Sequence, residues 1–172
     1  MIPKVKKILY ATDLSKNSAY ALRYAVNSAN RNEADIVILH VVEMMDKSTY
    51  HFMAAQIGEK LVAEKAKERE DHAKNRIKKR LNVFYDKVRA EDPEFKDNKV
   101  SIEICSGYPA EEILRTADAL NCDMIVMGTH GKGIVSQTFL GSMAKKVLRR
   151  TRKPVFIIPL PKEESDLTVH DI

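Results

Sequence analysis

Five short apolar runs punctuate the chain, at residues 5–11, 36–42, 100–104, 124–127 and 155–158, and segments of helical period separate them. The second run is apolar except for His40, the third alternates through Ser101 and Glu103, and the last two are apolar throughout. Ala19, Leu22, Val26 and Ala29 keep the spacing of one buried helix face and follow Ser15, a residue type that caps helix N-termini. Ile113, Ala117 and Leu120 do the same after Pro109, whose fixed φ and missing N–H suit the first helical position. Strands alternating with helices predict an α/β fold, an open, doubly wound, five-stranded parallel sheet with helices on both faces. Continuous apolar strands belong in the middle of such a sheet, and the alternating third strand fits an exposed edge. The fifth strand comes last yet is apolar. If it is also an edge it needs a cover, and a partner subunit is the economical one.

More than fifty residues separate the second and third strands. Residues 44–58 mix apolar and polar side chains without a period, and no element is predicted there. Residues 59–92 contain no Gly or Pro, and Ala66, Ala73, Ile77, Leu81, Phe84 and Val88 keep helical spacing. Such a helix would span about 50 Å at ~1.5 Å per residue, more than the width of a small domain. It is therefore expected to bend, to fray at its start or to project past the sheet, and to end at Asp92-Pro93-Glu94. Its Glu/Lys/Arg face reads as solvent-exposed, with a coiled-coil partner as the alternative. The tail after Pro159, with Glu163, Glu164, Asp166 and Asp171, is expected to be mobile. The division is one domain over residues 1–160 and an acidic tail over 161–172.

A chain of 172 residues, 44% apolar and 31% charged, can bury a sizeable single core. No window approaches the ~18 apolar residues of a membrane helix, and Met1-Ile2-Pro3-Lys4 opens no signal-peptide core, so no membrane partner and a cytoplasmic location are expected. The net charge of +5 comes from 29 basic and 24 acidic residues interleaved along the chain. The densest basic cluster, Arg149, Arg150, Arg152 and Lys153, falls where a helix should end and complements its dipole. With no aromatic platform or recognised motif beside it, it makes no case for nucleic acid. Cys105 and Cys122 lack C-x-x-C spacing and read as buried thiols. His40 reads as a satisfied core histidine, His51 and His72 lie among polar residues, and no pair has metal-ligand spacing.

The chemistry concentrates after the fourth strand, where Gly128-Thr129-His130-Gly131 is followed, nine residues later, by Gly141-Ser142 and a helix-like run over 143–150. Strand, glycine-bearing loop and helix start together suit a phosphate, because glycines let backbone N–H groups approach closely and the helix N-terminus offers donors and a positive dipole end. The competing reading is that the glycines only turn the chain. No Gly-Lys-Ser/Thr P-loop is present, and Gly131-Lys132-Gly133 does not extend to G-x-G-x-x-G, which excludes a P-loop NTPase and a Rossmann dehydrogenase. Ligands of doubly wound sheets bind at the carboxyl ends of strands where the winding reverses. Thr12-Asp13-Leu14-Ser15 lies at such an end too, and would share one crevice with the Gly128 loop if the first and fourth strands are neighbours. Asp13 would then accept hydrogen bonds from a ribose hydroxyl while Gly131, Gly141 and Ser142 hold phosphates. Helix capping is the competing role for Asp13 and Ser15.

With these residues assembled, the chain resembles the universal stress protein family in its ATP-binding branch, over about residues 3–160. The family's G-x2-G-x9-G-[ST] pattern is met by Gly128, Gly131, Gly141 and Ser142. Lys7-Ile8-Leu9-Tyr10-Ala11-Thr12-Asp13, Leu39-His40-Val41, Gly107-Tyr108-Pro109 with Glu112-Ile113, and Lys153-Pro154-Val155 support it in the right order. The resemblance implies a Rossmann-like fold of the adenine nucleotide alpha-hydrolase type. It implies a nucleoside pocket lined by Ala11, Thr12 and Asp13, where Ala11 stands in place of a frequent proline. It implies adenine held through the backbone of Val41, the nucleoside beside Met127 and Gly128, and phosphates held by Gly131, Gly141, Ser142 and the Met143 N–H. It further implies ATP with Mg²⁺ or Mn²⁺ held mainly by the phosphates, and a homodimer through Val155, Phe156, Ile157 and Ile158. His130 and Lys132 fit phosphate contacts and equally fit none, and no catalytic residue is assigned. Two classes stay open: a nucleotide-dependent regulatory or stress-response protein acting on an unknown protein partner, and a slow ATPase or transferase. The missing general base favours the first.

Overall fold

The computed structural model describes residues 3–43, 47–91, 99–129 and 140–159. The elements are β1 (Lys7–Ala11), α1 (Lys16–Asn32), β2 (Asp35–Glu43), α2 (Lys47–Ile57), α3 (Glu59–Glu91), β3 (Val100–Gly107), α4 (Pro109–Ala119), β4 (Met124–Gly128), α5 (Ser142–Arg150) and β5 (Val155–Ile158). Every strand pair is parallel and the spatial order is β3-β2-β1-β4-β5. The winding therefore reverses between β1 and β4, which are neighbours, with Ile8 opposite Met124 and Tyr10 opposite Val126. The alternating β3 is one edge and the apolar β5 is the other.

The two sheet faces bury separate clusters. Ile8, Tyr10, Ile36 and Ile38 pack with α1 and with Ala73, Ile77, Leu81 and Tyr85 of α3. Leu9, Val37, Leu39 and Ile125 pack with Ile113 and Ala117 of α4 and Ala144 and Val147 of α5. Alternate residues of each central strand thus serve opposite faces, which is why these strands read as unbroken apolar runs.

The helix ends follow their residues. Ser15 caps α1, its Oγ accepting from the Ser18 N–H at 3.1 Å. Pro109 opens α4, where Glu111 and Glu112 in the first turn complement the dipole. α2 occupies a stretch for which no element is expected from sequence. None of its described residues is buried and Phe52 is 67% exposed, so it carries no apolar stripe for a periodicity to reveal. Gly58 ends it with φ +84, a left-handed conformation that glycine takes without strain. α3 is described as far as Glu91, and its expected end at Asp92-Pro93-Glu94 lies outside the described residues. Its sheet-facing stripe begins at Ala73 rather than at Ala66, which is exposed. The earlier part of α3 runs past the carboxyl end of β3, where the Ser106 hydroxyl donates to Glu70 Oε1 at 3.0 Å. Of the two cysteines, Cys122 is buried as expected, whereas Cys105 is only half-buried on edge strand β3. Burial, then Glu112, pushes the Cys105 thiol up to about 11, and burial raises that of Cys122, so neither is a ready nucleophile. The expected tail over 161–172 lies outside the described residues.

Candidate functional site

The carboxyl ends of β1, β2 and β4 open into one cleft with a cavity volume of ≈ 1230 Å³, above the roughly 300–1,000 Å³ of ordinary small-molecule sites. Its floor comes from the turn after β1, where every residue is held. The Thr12 N–H donates to Leu39 O at 2.9 Å, and Thr12 Oγ1 donates to Ser18 Oγ at 2.9 Å while accepting from the Leu14 N–H at 3.1 Å. The Thr12 carbonyl lies 2.8 Å from His40 Nδ1. A carbonyl can only accept, so that nitrogen carries the proton and His40 serves as a structural donor, as its place in an apolar strand suggests. Asp13 Oδ1 accepts from both the Ser15 N–H (3.0 Å) and the Ser15 hydroxyl (2.6 Å). The two roles open from sequence thus separate: Ser15 is the cap, and Asp13 orients it.

Leu14 is the strained member. It is buried and sits at φ 63, a left-handed conformation that is costly for a branched side chain. α3 holds it there: Arg80 Nη2 donates to the Leu14 carbonyl at 2.6 Å and Arg76 Nη2 reaches it at 3.4 Å. Burial, and then the neighbouring Arg76, pushes the Arg80 pKa below its ordinary value. Tyr10, just beneath, donates its hydroxyl to the Ser18 carbonyl, and burial pushes that hydroxyl up to about 12.

The opposite wall is the start of α5. Its N-cap is Gly141, which has no side chain to offer the helix, and no acidic residue stands in the first turn. The Gly141 N–H is used by Thr129 O at 2.8 Å, which ties the helix start to the end of β4. Ser142, Met143 and Ala144 follow at the rim, so first-turn N–H groups and the positive dipole end face the cleft.

The structure brings together Ala11, Thr12, Asp13, Val41, Met127, Gly128, Gly141, Ser142 and Met143 along this one cleft. His130, Gly131 and Lys132 lie outside the described residues. The reading from sequence missed a third wall, supplied by Lys65, Glu68, Arg69, His72 and Arg76 of α3. Their charge made them read as a solvated face, and only the placement of α3 beside the strand ends brings them to the cleft. Among the described residues no group of three or more His, Cys, Asp or Glu is placed to hold a metal ion, and no helix is long and apolar enough to cross a membrane.

A doubly wound sheet with its cleft at the β1/β4 reversal and an open helix N-terminus on one wall defines the class of open, parallel α/β proteins, whose switch point is the usual place for a ligand. Within that class the chain belongs to the Universal stress protein family, whose sequence profile matches residues 4–159. Universal stress protein MJ0531 of Methanocaldococcus jannaschii is 31% identical over 159 residues, 92% of this chain and 85% of the relative. The solved structure of MJ0577 from the same organism superposes with a TM-score of 0.61 at 26% identity, covering 94% of this chain and 100% of that one. The universal stress protein of Archaeoglobus fulgidus in complex with dAMP shares the fold, with a TM-score of 0.52 at 18% identity, covering 92% of this chain and 100% of that one.

Proposed function

We propose that this universal stress protein is an ATP-binding regulatory protein that holds the nucleotide in the β1/β4 cleft and carries its occupancy to a protein partner. The observation that supports this most is the α5 N-terminus, capped by a glycine and without first-turn carboxylates, opening into the same cleft as Asp13 and Val41. Such an end is built for an anion. In this reading the Ser142 and Met143 N–H groups and the Ser142 hydroxyl take the phosphates. Gly141, whose own N–H is engaged by Thr129 O, leaves room for their approach, and Gly131, His130 and Lys132 of the preceding loop stand beside them. Ala11, Thr12, Met127 and Gly128 surround the nucleoside, Asp13 faces the ribose, and the Val41 backbone meets the base. A family relative in complex with dAMP agrees with an adenine nucleotide at the level of the fold. Mg²⁺ or Mn²⁺ fits this donor set only as an ion held by the phosphates, because the described residues offer no carboxylate or imidazole cluster. Bound there, it would neutralise phosphate charge.

In this reading the nucleotide is retained rather than turned over. In-line attack needs an oriented water, and the Asp13 carboxylate already engages Ser15 through Oδ1. A homodimer through β5 belongs to this reading: β5 is an apolar edge strand, and Phe156 is 40% exposed with its ring edge-on to Tyr24 at 6.2 Å. The test is calorimetric titration of ATP into the parent and Asp13→Ala, with mass spectrometry of nucleotide released from purified protein. Bound ATP recovered intact, and an affinity reduced by about tenfold or more in the variant, agree with the proposal. No binding by the parent rejects it, and rapid phosphate release with Mg²⁺ moves the reading to the enzyme class.

A further inference from the structure

The phosphate wall at α5 uses one side of the cleft, and the other side is also cationic. α3 turns Lys65, Glu68, Arg69, His72 and Arg76 toward the cavity, at the i, i+3, i+4, i+7 and i+11 positions of a single helix face. Three of them are fixed cations, set against three carboxylates of the same lining, Glu68 (whose Oε2 lies 4.0 Å from Lys65 Nζ), Glu43 at the end of β2 and Asp13. The stripe reaches the nucleoside end of the site: Arg76 Nη2 lies 3.4 Å from the carbonyl of Leu14, the residue after Asp13. α3 packs on one face of the sheet and α5 on the other, so the two positive walls face the cleft from opposite sides. A nucleotide with phosphates at its 5′ end alone would occupy one wall and leave the second, in a cavity larger than one such ligand needs.

We propose that the α3 stripe is a second anion subsite, and that the cleft takes adenine nucleotides carrying an additional phosphoryl group on the ribose 2′ or 3′ oxygen. The inference rests on the nucleotide reading above, with the ribose at Asp13. With one ribose hydroxyl held at Asp13, a phosphoryl group on the other would share its corner of the cleft with Arg76, whose Nη2 lies 3.4 Å from the carbonyl of the next residue. Arginine is the side chain best suited to a phosphoryl group there, because its planar fork gives two parallel charge-assisted hydrogen bonds. Lys65 and Arg69 are exposed in the free chain, so they can swing onto the ligand without breaking the core.

The experiment compares 5′-AMP, adenosine 2′,5′-bisphosphate, adenosine 3′,5′-bisphosphate and ATP by calorimetric titration into the full chain and into Lys65→Gln/Arg69→Gln. The parent is expected to bind one bisphosphate about tenfold or more tightly than AMP, the gain of a charge-assisted contact. The isomer preferred identifies the oxygen. The double variant is expected to lose that preference, read as the ratio of bisphosphate to AMP affinity, while keeping its melting temperature. Raising the salt should erode the preference in the parent, because the stripe is exposed. Bisphosphates bound no better than AMP, or a preference that survives the double substitution, overturns the subsite while ATP binding still stands. Failure of ATP and AMP alike to bind rejects the nucleotide reading itself, and the subsite with it.

Discussion

Replacing Arg80 with Met tests whether α3 shapes the turn that carries Asp13. Arg80 is 7% exposed, and its Nη2 donates to the Leu14 carbonyl at 2.6 Å. A hydrogen bond to a charged group contributes ~1.5–3 kcal/mol, and a non-glycine residue held in the left-handed region stores ~1–3 kcal/mol. Loss of the bond leaves that strain opposed by Arg76 at 3.4 Å, by the Leu14 N–H bond to Thr12 Oγ1 and by the burial of the side chain. A gain opposes the loss: methionine spares the desolvation of a buried guanidinium whose pKa burial already lowers. We expect a net destabilisation of ~1–2 kcal/mol, which is ~2–8 °C in Tm for a chain of this size. ATP affinity should fall by about tenfold, because a released turn no longer presents Asp13 in a fixed place. Arg80→Lys keeps the charge without the planar fork and should fall between the two. Differential scanning calorimetry and titration of the same samples decide the matter. An Arg80→Met protein that melts with the parent and binds ATP equally well would show that the turn is held by other contacts.

Gly141→Asp should separate stability from binding: at φ −64 the position is open to any residue, so an aspartate cap leaves Tm equal or slightly higher. Its charge, set where phosphates are proposed, should weaken ATP by several kcal/mol, and undiminished titration would remove α5 from the site. Tyr10 gives a pH signature. Its hydroxyl is pushed from 10.0 up to about 12, so its contribution is fully present below pH 10 and is lost as pH rises through 12. That amounts to about 2–3 kcal/mol, by the ~1.36 kcal/mol per unit of linkage. Tyr10→Phe should flatten this stretch of the stability profile relative to the parent, and identical profiles would refute the assignment. At β5, Ile157 packs inward with Val155, so Phe156→Lys is the cleaner probe of the proposed dimer. Light scattering should show a dimer for the parent and a monomer for the variant, whereas a parent that is monomeric at micromolar concentration rejects the interface.

The parts of this fold legible in the sequence are those that bury a face. Leu9, Ile125 and Val126 are wholly enclosed between helices, so their strands are apolar without alternation, whereas Ser101 and Glu103 mark β3 as the edge it is. The β1/β4 adjacency needed for a shared cleft could be stated only as a condition, because no local pattern fixes which parallel strands pair. α2 was invisible because it buries nothing. Leu14 gave no warning either: its carbonyl, at a left-handed φ, is bonded by Arg80, 66 residues away in sequence. Charged residues of α3 looked like a solvated face because a helix lining an open cleft and a helix lining bulk water have the same composition. Only the position of α3 past the strand ends tells them apart.

The departures from local optimum collect at one place. α1 has a serine cap and α4 has first-turn glutamates, yet α5 begins at a glycine with neither. A glycine cap is weaker than Asp or Ser by only a few tenths of a kcal/mol, a small cost that a single Asp or Ser at position 141 would recover. Across the same cleft Leu14 stores left-handed strain under two arginines. Neither feature helps the empty chain fold, and sequences otherwise consistent at every level concentrate such violations at functional sites. An anion at the α5 N-terminus would supply the partner that the missing cap withholds. Occupancy at a hundred times Kd would add about 2.7 kcal/mol to the stability of the folded state. Since α3 contributes both the clamp on Leu14 and one wall of the cleft, a nucleotide that settles this turn also settles the helix projecting past the sheet. Under the proposed function, that coupling would be the physical route by which occupancy reaches the outer faces of α2 and α3.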